Sequence, residues 1–141
     1  MEDGREIEIL VEDDIVTARS AGREIARGIG FGIVDCTLVA TAISELTRNI
    51  ILYAGQGAIT INILRTRDTP HDADSPRGLE IIATDTGPGI EDINLVMRDG
   101  YSTSEGMGLG LPGTRRLMDE FELHSEPGKG TTIRTTKWLV G

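Results

Sequence analysis

The sequence holds one cysteine, Cys36, and this excludes an internal disulfide. Its two histidines, His71 and His124, lie far apart, so no cluster with metal-ligand spacing forms and no structural metal is expected. Ser102, Thr103 and Ser104 have no histidine near them in sequence, which leaves a Ser-His-Asp triad without support. Aromatic residues make up 4% of the chain, too few for an aromatic-rich binding surface. Basic residues are outnumbered, 14 against 23 acidic, giving a net charge of −9. That balance argues against nucleic acid or an anionic membrane as the main partner. No apolar run approaches the roughly 20 residues that span a bilayer. The first residues, Met1 to Arg5, are acidic and carry no apolar signal core, so a cytoplasmic setting is expected. Cys36 falls in a helical pattern and reads as a small core residue.

Glycine is what the chain has in excess, 18 of 141 residues, about twice the usual share of ~7%. Gly87, Gly89, Gly100, Gly106, Gly108, Gly110 and Gly113 crowd into one stretch after Asp85. The length fits a single domain, 1–141, with enough chain to bury its own core.

Periodicity orders the elements. Glu6 to Val11 reads as a strand. Asp13 or Asp14 caps a helix running to about Arg27, and Gly28, Gly30 and Gly32 break it. A second helix runs from about Asp35 to Tyr53. Gly57 to Arg65 alternates β-branched and polar residues and reads as a strand. Thr69 to Gly78 is a polar hairpin loop, and Leu79 to Thr84 the next strand. A short helix from Glu91 to Arg98 and another from Leu109 to about Phe121 follow. Glu122 to Glu126 and Thr131 to Leu139 are strands around the turn Pro127 to Gly130. The order β, α, α, β, β, α, β, β predicts an α/β two-layer sandwich, with a mixed, mostly antiparallel sheet and helices on one face. Strict βαβ alternation is absent, which counts against a doubly wound sheet.

Four places carry chemistry. On the second helix Leu38, Ala42, Tyr53, Leu46, Val39, Ile50 and Ile43 form an apolar stripe. Glu45 and Asn49, four apart, share a face, and Asn49 lies within the arc of that stripe. Unpaired burial of such groups costs about 1–3 kcal/mol, so they need a partner or a function. Asp85-Thr86-Gly87-Pro88-Gly89 follows an apolar strand. A carboxylate there can read an amine, and Gly87 and Gly89 leave room for a flat ligand. Gly106-Met107-Gly108-Leu109-Gly110 precedes a helix, where successive backbone N–H groups can meet phosphate oxygens. Gly108, Gly110 and Gly113 mimic a dinucleotide fingerprint, but no βαβ unit surrounds them. Gly128-Lys129-Gly130-Thr131 is a turn entering a strand, and Lys129 is not followed by the Ser or Thr of a phosphate-binding P-loop. H-R-D and D-F-G elements of eukaryotic-type kinases are absent.

Taken in order, E-x-x-x-N, D-x-G-x-G, G-x-G-x-G and G-x-G-T resemble the N, G1, G2 and G3 boxes of the Bergerat-fold (GHKL) ATPases. That superfamily includes DNA gyrase, certain chaperones, histidine kinases and mismatch-repair ATPases. Within it, the chain looks like the small anti-sigma-factor type of serine/threonine kinase, nearest the stressosome switch kinases. Ile43 to Ile50, Gly100 to Gly106 and Leu117 to Phe121 carry that nearer match. The resemblance covers nearly the whole chain as a single histidine-kinase-like ATPase domain. It leaves no room for a phosphotransfer or dimerisation domain.

The resemblance implies roles for ATP and Mg²⁺. Asn49 would hold the metal. Glu45 would act as general base or orienter of the incoming hydroxyl. Asp85 would accept the adenine amine, with Thr131 in support, Gly87 in the same box, and Gly89 letting the base approach. Gly106, Met107, Gly108, Leu109 and Gly110 would wrap the phosphates. One departure is that no Lys or Arg lies between Asp99 and Glu105, where relatives place a cation. Arg98, Arg115 and Arg116 are the candidates to replace it.

The implied function is a Mg-ATP-dependent kinase acting on STAS-domain proteins of a stressosome-like complex. When released, it would bind the regulatory region of a metal-dependent serine/threonine phosphatase and activate it. A nucleotide-gated binding module with little transfer is the alternative. A dinucleotide-dependent enzyme rests only on Gly108, Gly110 and Gly113.

Overall fold

The structure, a computed structural model, describes residues 4–65, 76–89 and 111–139. Its first strand, β1 (Gly4–Ile9), buries Ile7 and Ile9 on one face. Asp14 turns the chain from β1 into α1 (Asp13–Ile29). Its carboxylate accepts the backbone N–H groups of Leu10 (2.8 Å) and Val11 (3.0 Å). These two bonds hold its carboxyl below the usual carboxylate value, against a small opposing effect of burial. The residue at the cap itself is Glu12, which makes no side-chain cap bond. Asp14 therefore serves the strand's end rather than the helix's orphan N–H groups. Gly30, at φ +113°, stops α1, and its N–H meets the carbonyls of Ala26 and Arg27.

The second helix, α2 (Ile33–Asn49), has the same 17 residues as α1. The two helices cross closely at Gly22, where a Cβ would run into Ile43 Cδ1. Equal lengths carry the chain out and back, so the next strand leaves from the end where β1 stopped. That strand is β2 (Gly57–Arg65), and it pairs antiparallel with β1. β3 (Pro76–Asp85) returns beside it, and Pro76, Arg77 and Gly78 belong to the strand rather than to the loop expected there. The rest of that loop and the helix expected from Glu91 to Arg98 lie outside the described residues. α3 (Leu111–Leu117) leads into β4 (Glu120–Glu126), which forms a hairpin with β5 (Gly130–Trp138).

Sheet order is β1-β2-β3-β5-β4. All four ladders among the described residues are antiparallel, in keeping with the mostly antiparallel sheet expected and without the parallel pair that a mixed one would add. The paired helices and the hairpins, each reversing direction, are the cause. The helices cover one face, and a single core joins Ile59, Ile61, Ile81 and Ile133 to Ala18, Val39, Ile43 and Leu46. Cys36 is buried there, its thiol 3.5 Å from the carbonyl of Phe31. The other face is polar. Asn62 donates to Glu80 at 3.0 Å, and Arg134 bridges Glu80 (3.4 Å) and Glu122 (3.9 Å) across neighbouring strands.

α3 ends sooner than the expected Phe121. Asp119 N–H bonds the carbonyl of Thr136 at 2.9 Å and draws the chain into the β4–β5 ladder. Lys137 Nζ then caps the short helix by bonding the Leu117 carbonyl at 3.1 Å. No helix among the described residues is long and apolar enough to cross a membrane.

Candidate nucleotide-binding site

Period-two alternation places the central carboxylate. Leu79, Ile81 and Ala83 of β3 point into the core, so Asp85, two residues on, leaves the strand on the same face. Thr131 follows the same logic on β5, two residues before buried Ile133. The register sets Asp85 directly opposite Thr131. The carboxylate is fixed locally, since Gly87 N–H donates to its Oδ1 at 2.9 Å. A carboxylate has acceptor capacity beyond that one bond.

Above these two residues ends α2. Its last residue is Asn49, and residues Ile50–Ala54 form a π-helical turn instead of the expected continuation of the α-helix. Gly55, at φ +88°, closes that turn with an N–H bond to the Ile50 carbonyl at 2.8 Å. The wider turn brings Tyr53 and Ala54 to the end of the sheet.

One cleft results. Leu46, Asn49, Ile50, Tyr53 and Ala54 form its helical wall. Ala83, Asp85, Thr131 and Ile133 form its floor, and Pro88, Gly89 and Leu111 complete it. It holds about 470 Å³ of space, counting its open mouth. The lining is apolar except for the Asn49 amide, the Asp85 carboxylate and the hydroxyls of Tyr53 and Thr131, which is how a site for a flat, largely apolar ring with a few polar edges is built.

Glycines let three backbones meet around Asp85. Gly89 has φ +78°, and a Cβ on it would run into the carbonyl of Glu126. Its demand for glycine is thus met by packing against the β4–β5 turn, in addition to its place in the cleft. Gly130 has φ +93°, and a Cβ on it would run into the Asp85 carbonyl. The bond from Gly128 N–H to the Pro88 carbonyl at 2.7 Å ties loop and turn together.

Four of the expected residues, Asn49, Asp85, Gly89 and Thr131, therefore meet in one cleft although they come from three separate motifs. Gly87 stands just behind it, holding Asp85. Glu45 does not line the cleft. It sits one turn back on α2, half-buried, and Arg48 Nη1 donates to its Oε1 at 2.7 Å. Gly106, Met107, Gly108, Leu109 and Gly110 lie outside the described residues, as does Arg98. Arg115 and Arg116 are on α3, both exposed.

One participant escaped the sequence reading. Ser125 of β4 bonds Thr131 Oγ1 at 2.9 Å and the Gly130 carbonyl at 2.9 Å. Alternation from Phe121 and Leu123 was the available signal. The π-helical turn had none, because Ile50 to Tyr53 fits an α-helical stripe equally well.

Known proteins resemble the chain over most of its length. Residues 34–140 match the family described as histidine kinase-, DNA gyrase B- and HSP90-like ATPases. The chain belongs to that ATPase family. It is 53% identical to the serine/threonine-protein kinase RsbT of Bacillus subtilis, over 99% of both chains. It is 36% identical to an anti-sigma F factor of Caldanaerobacter subterraneus, over 86% of this chain and 83% of that one. Within the ATPase family the chain is thus an RsbT-like serine/threonine kinase and a homologue of anti-sigma factors.

Solved structures share the fold. The RsbU and RsbW domains of a Mycobacterium tuberculosis protein superpose with a TM-score of 0.60 at 18% identity, over 94% of this chain and 32% of that one. The catalytic domain of histidine kinase ThkA gives 0.51 at 16% identity, covering 95% of each.

Proposed function

We propose that this chain uses Mg-ATP to phosphorylate serine or threonine on STAS-domain proteins of a stressosome-like complex. Released from that complex, it binds and activates a metal-dependent phosphatase in the cytoplasm. Residues 1–141 act as one ATPase domain. The observation that carries the ATP site is the cleft in which Asp85 and Thr131 lie beneath Asn49.

Phosphoryl transfer is mainly a matter of positioning and charge stabilisation. Asp85 accepts the amine of the base, and Gly87 N–H keeps its carboxylate from turning away. Pro88, Gly89, Ile50 and Ile133 line the cleft and would flank the ring. Asn49 offers an amide oxygen, the kind of hard ligand Mg²⁺ takes alongside phosphate oxygens. Bound Mg-ATP supplies the transferable phosphoryl group and the neutralising cation. Glu45, one turn from Asn49, orients the acceptor hydroxyl and takes its proton. The family resemblance would give the phosphates to Gly106 to Gly110.

The test is incubation with Mg²⁺, γ-labelled ATP and STAS-domain proteins, beside Glu45→Gln. Label on a STAS protein with the native chain only supports the reading. ATP binding with no transfer to any STAS protein removes it. A second reading keeps the same cleft without transfer, a nucleotide-gated binding module. A stable partner complex without labelled product would mark that case.

A further inference from the structure

Counting protons on two hydroxyls assigns a role to Ser125. A serine hydroxyl has one proton to give and two lone pairs to receive with. Ser125 Oγ lies 2.9 Å from the carbonyl oxygen of Gly130, which has no proton, so Ser125 must donate there. Ser125 Oγ also lies 2.9 Å from Thr131 Oγ1. Two hydroxyl oxygens that close need a proton between them, and the serine's is already committed. Thr131 is therefore the donor to Ser125. Its single proton points away from the cleft, and only lone pairs of Thr131 Oγ1 face inward.

The consequence falls on the cleft floor. Asp85, ionised, is acceptor-only. Thr131 stands directly opposite it in the β3–β5 register and lines the same cleft. With its proton held by Ser125, it too becomes acceptor-only. A ligand edge that meets both must be a donor. Ser125 itself does not line the cleft.

We infer that Ser125 is a positioning residue that sets base specificity. By locking the Thr131 hydroxyl as an acceptor, it makes the floor select a 6-aminopurine and reject a 6-oxopurine. This rests on the cleft being the base site proposed above. A 6-oxo group presents lone pairs to two acceptors, and such a mismatch is where polar sites discriminate most strongly.

The experiment measures binding of ATP and inosine triphosphate to the full chain by competition against a fluorescent nucleotide. Ser125→Ala frees the Thr131 proton, which can then turn inward toward a 6-oxo group. The preference for ATP over inosine triphosphate is expected to fall about three- to tenfold, the worth of one neutral hydrogen bond. Ser125→Thr keeps the hydroxyl and is expected to keep the preference. Ser125→Cys, nearly isosteric and a weak donor, is expected to lower it and serves if Ser125→Ala does not fold. A purely structural serine would weaken both nucleotides alike, and an unchanged ratio in Ser125→Ala and Ser125→Cys overturns the inference. Asp85→Asn separates the two levels. If it cuts ATP binding while the Ser125 variants leave the ratio intact, only the role of Ser125 falls. If it leaves ATP binding untouched, the base site falls with it.

Discussion

Asp85 and Thr131 are cross-strand partners, directly opposite in the antiparallel β3–β5 ladder, and both side chains leave the sheet on its buried face. Elsewhere on that face the same two strands pair Ala83 with Ile133, an apolar contact that builds the core. The last rung before the turn replaces it with a carboxylate and a hydroxyl. The core thus runs without interruption into the site, and the strand alternation that packs one also aims the other.

Asp85→Asn is expected to weaken ATP binding by about ten- to a hundredfold, because it puts an amide donor where an amine must be received. Volume and the Gly87 contact are nearly conserved, so the melting temperature should change little. Calorimetric titration with ATP, beside a thermal melt, checks both. An unaltered Kd would remove Asp85 from recognition.

How much of this was legible beforehand differs by element. The bounds of β2, Gly57–Arg65, were readable because Ile59, Ile61 and Ile63 alternate with polar residues over its length. Asp85 and Thr131 were readable as a strand end and a turn exit. Their meeting was implied only by resemblance, since pairing β3 with β5 is a long-range event. The π-helical turn at Ile50–Ala54 was not readable. It depends on Gly55 at φ +88° and on Ala54 packing so tightly against Gly87 that a Cβ there would lie 2.6 Å away. The length of α3 was misjudged for a similar reason. Met118 and Phe121 continue a helical stripe in sequence, yet Phe121 is claimed by a strand pairing with Thr135.

Asp14 makes a pH prediction. Its carboxyl is lowered from 3.8 chiefly by the Leu10 N–H bond, then by that of Val11. A depressed folded value means that its stabilisation is present above the unfolded value and is lost as pH falls through the folded one. Asp14→Ala should therefore be less stable than the native chain at neutral pH. The two should converge on acidification below 3.8. Melting temperatures across an acid series test this, and a constant gap down to the lowest pH would sink it.

Gly130→Ala separates backbone strain from crowding. Both Gly130 (φ +93°) and Gly55 (φ +88°) are left-handed, but only Gly130 has backbone within reach of a Cβ, including Thr86 Cα at 2.9 Å. Gly55→Ala should cost about 1–3 kcal/mol, the penalty for an L-residue held in a sparsely populated backbone region. Gly130→Ala should cost about 2–4 kcal/mol, since overpacking adds to it. Urea unfolding measures both, and equal losses would mean that the Asp85–Gly130 approach adds nothing.

Arg48 and Glu45 decide how the carboxylate works. Their 2.7 Å contact is an i,i+3 pair with side chains 48% and 35% exposed. Exposed helix pairs contribute only about 0.3–0.5 kcal/mol. Such a bond does not hold Glu45 against a better partner, so an incoming hydroxyl can take the carboxylate from Arg48. Arg48→Ala should then leave the melting temperature and the ATP Kd nearly unchanged and alter transfer by less than about tenfold. Glu45→Gln should lower transfer by about a hundredfold or more, the usual worth of a general base, with ATP binding retained. Single-turnover transfer with saturating ATP reads both. Equal losses in the two variants would make the ion pair, rather than the carboxylate alone, the working unit.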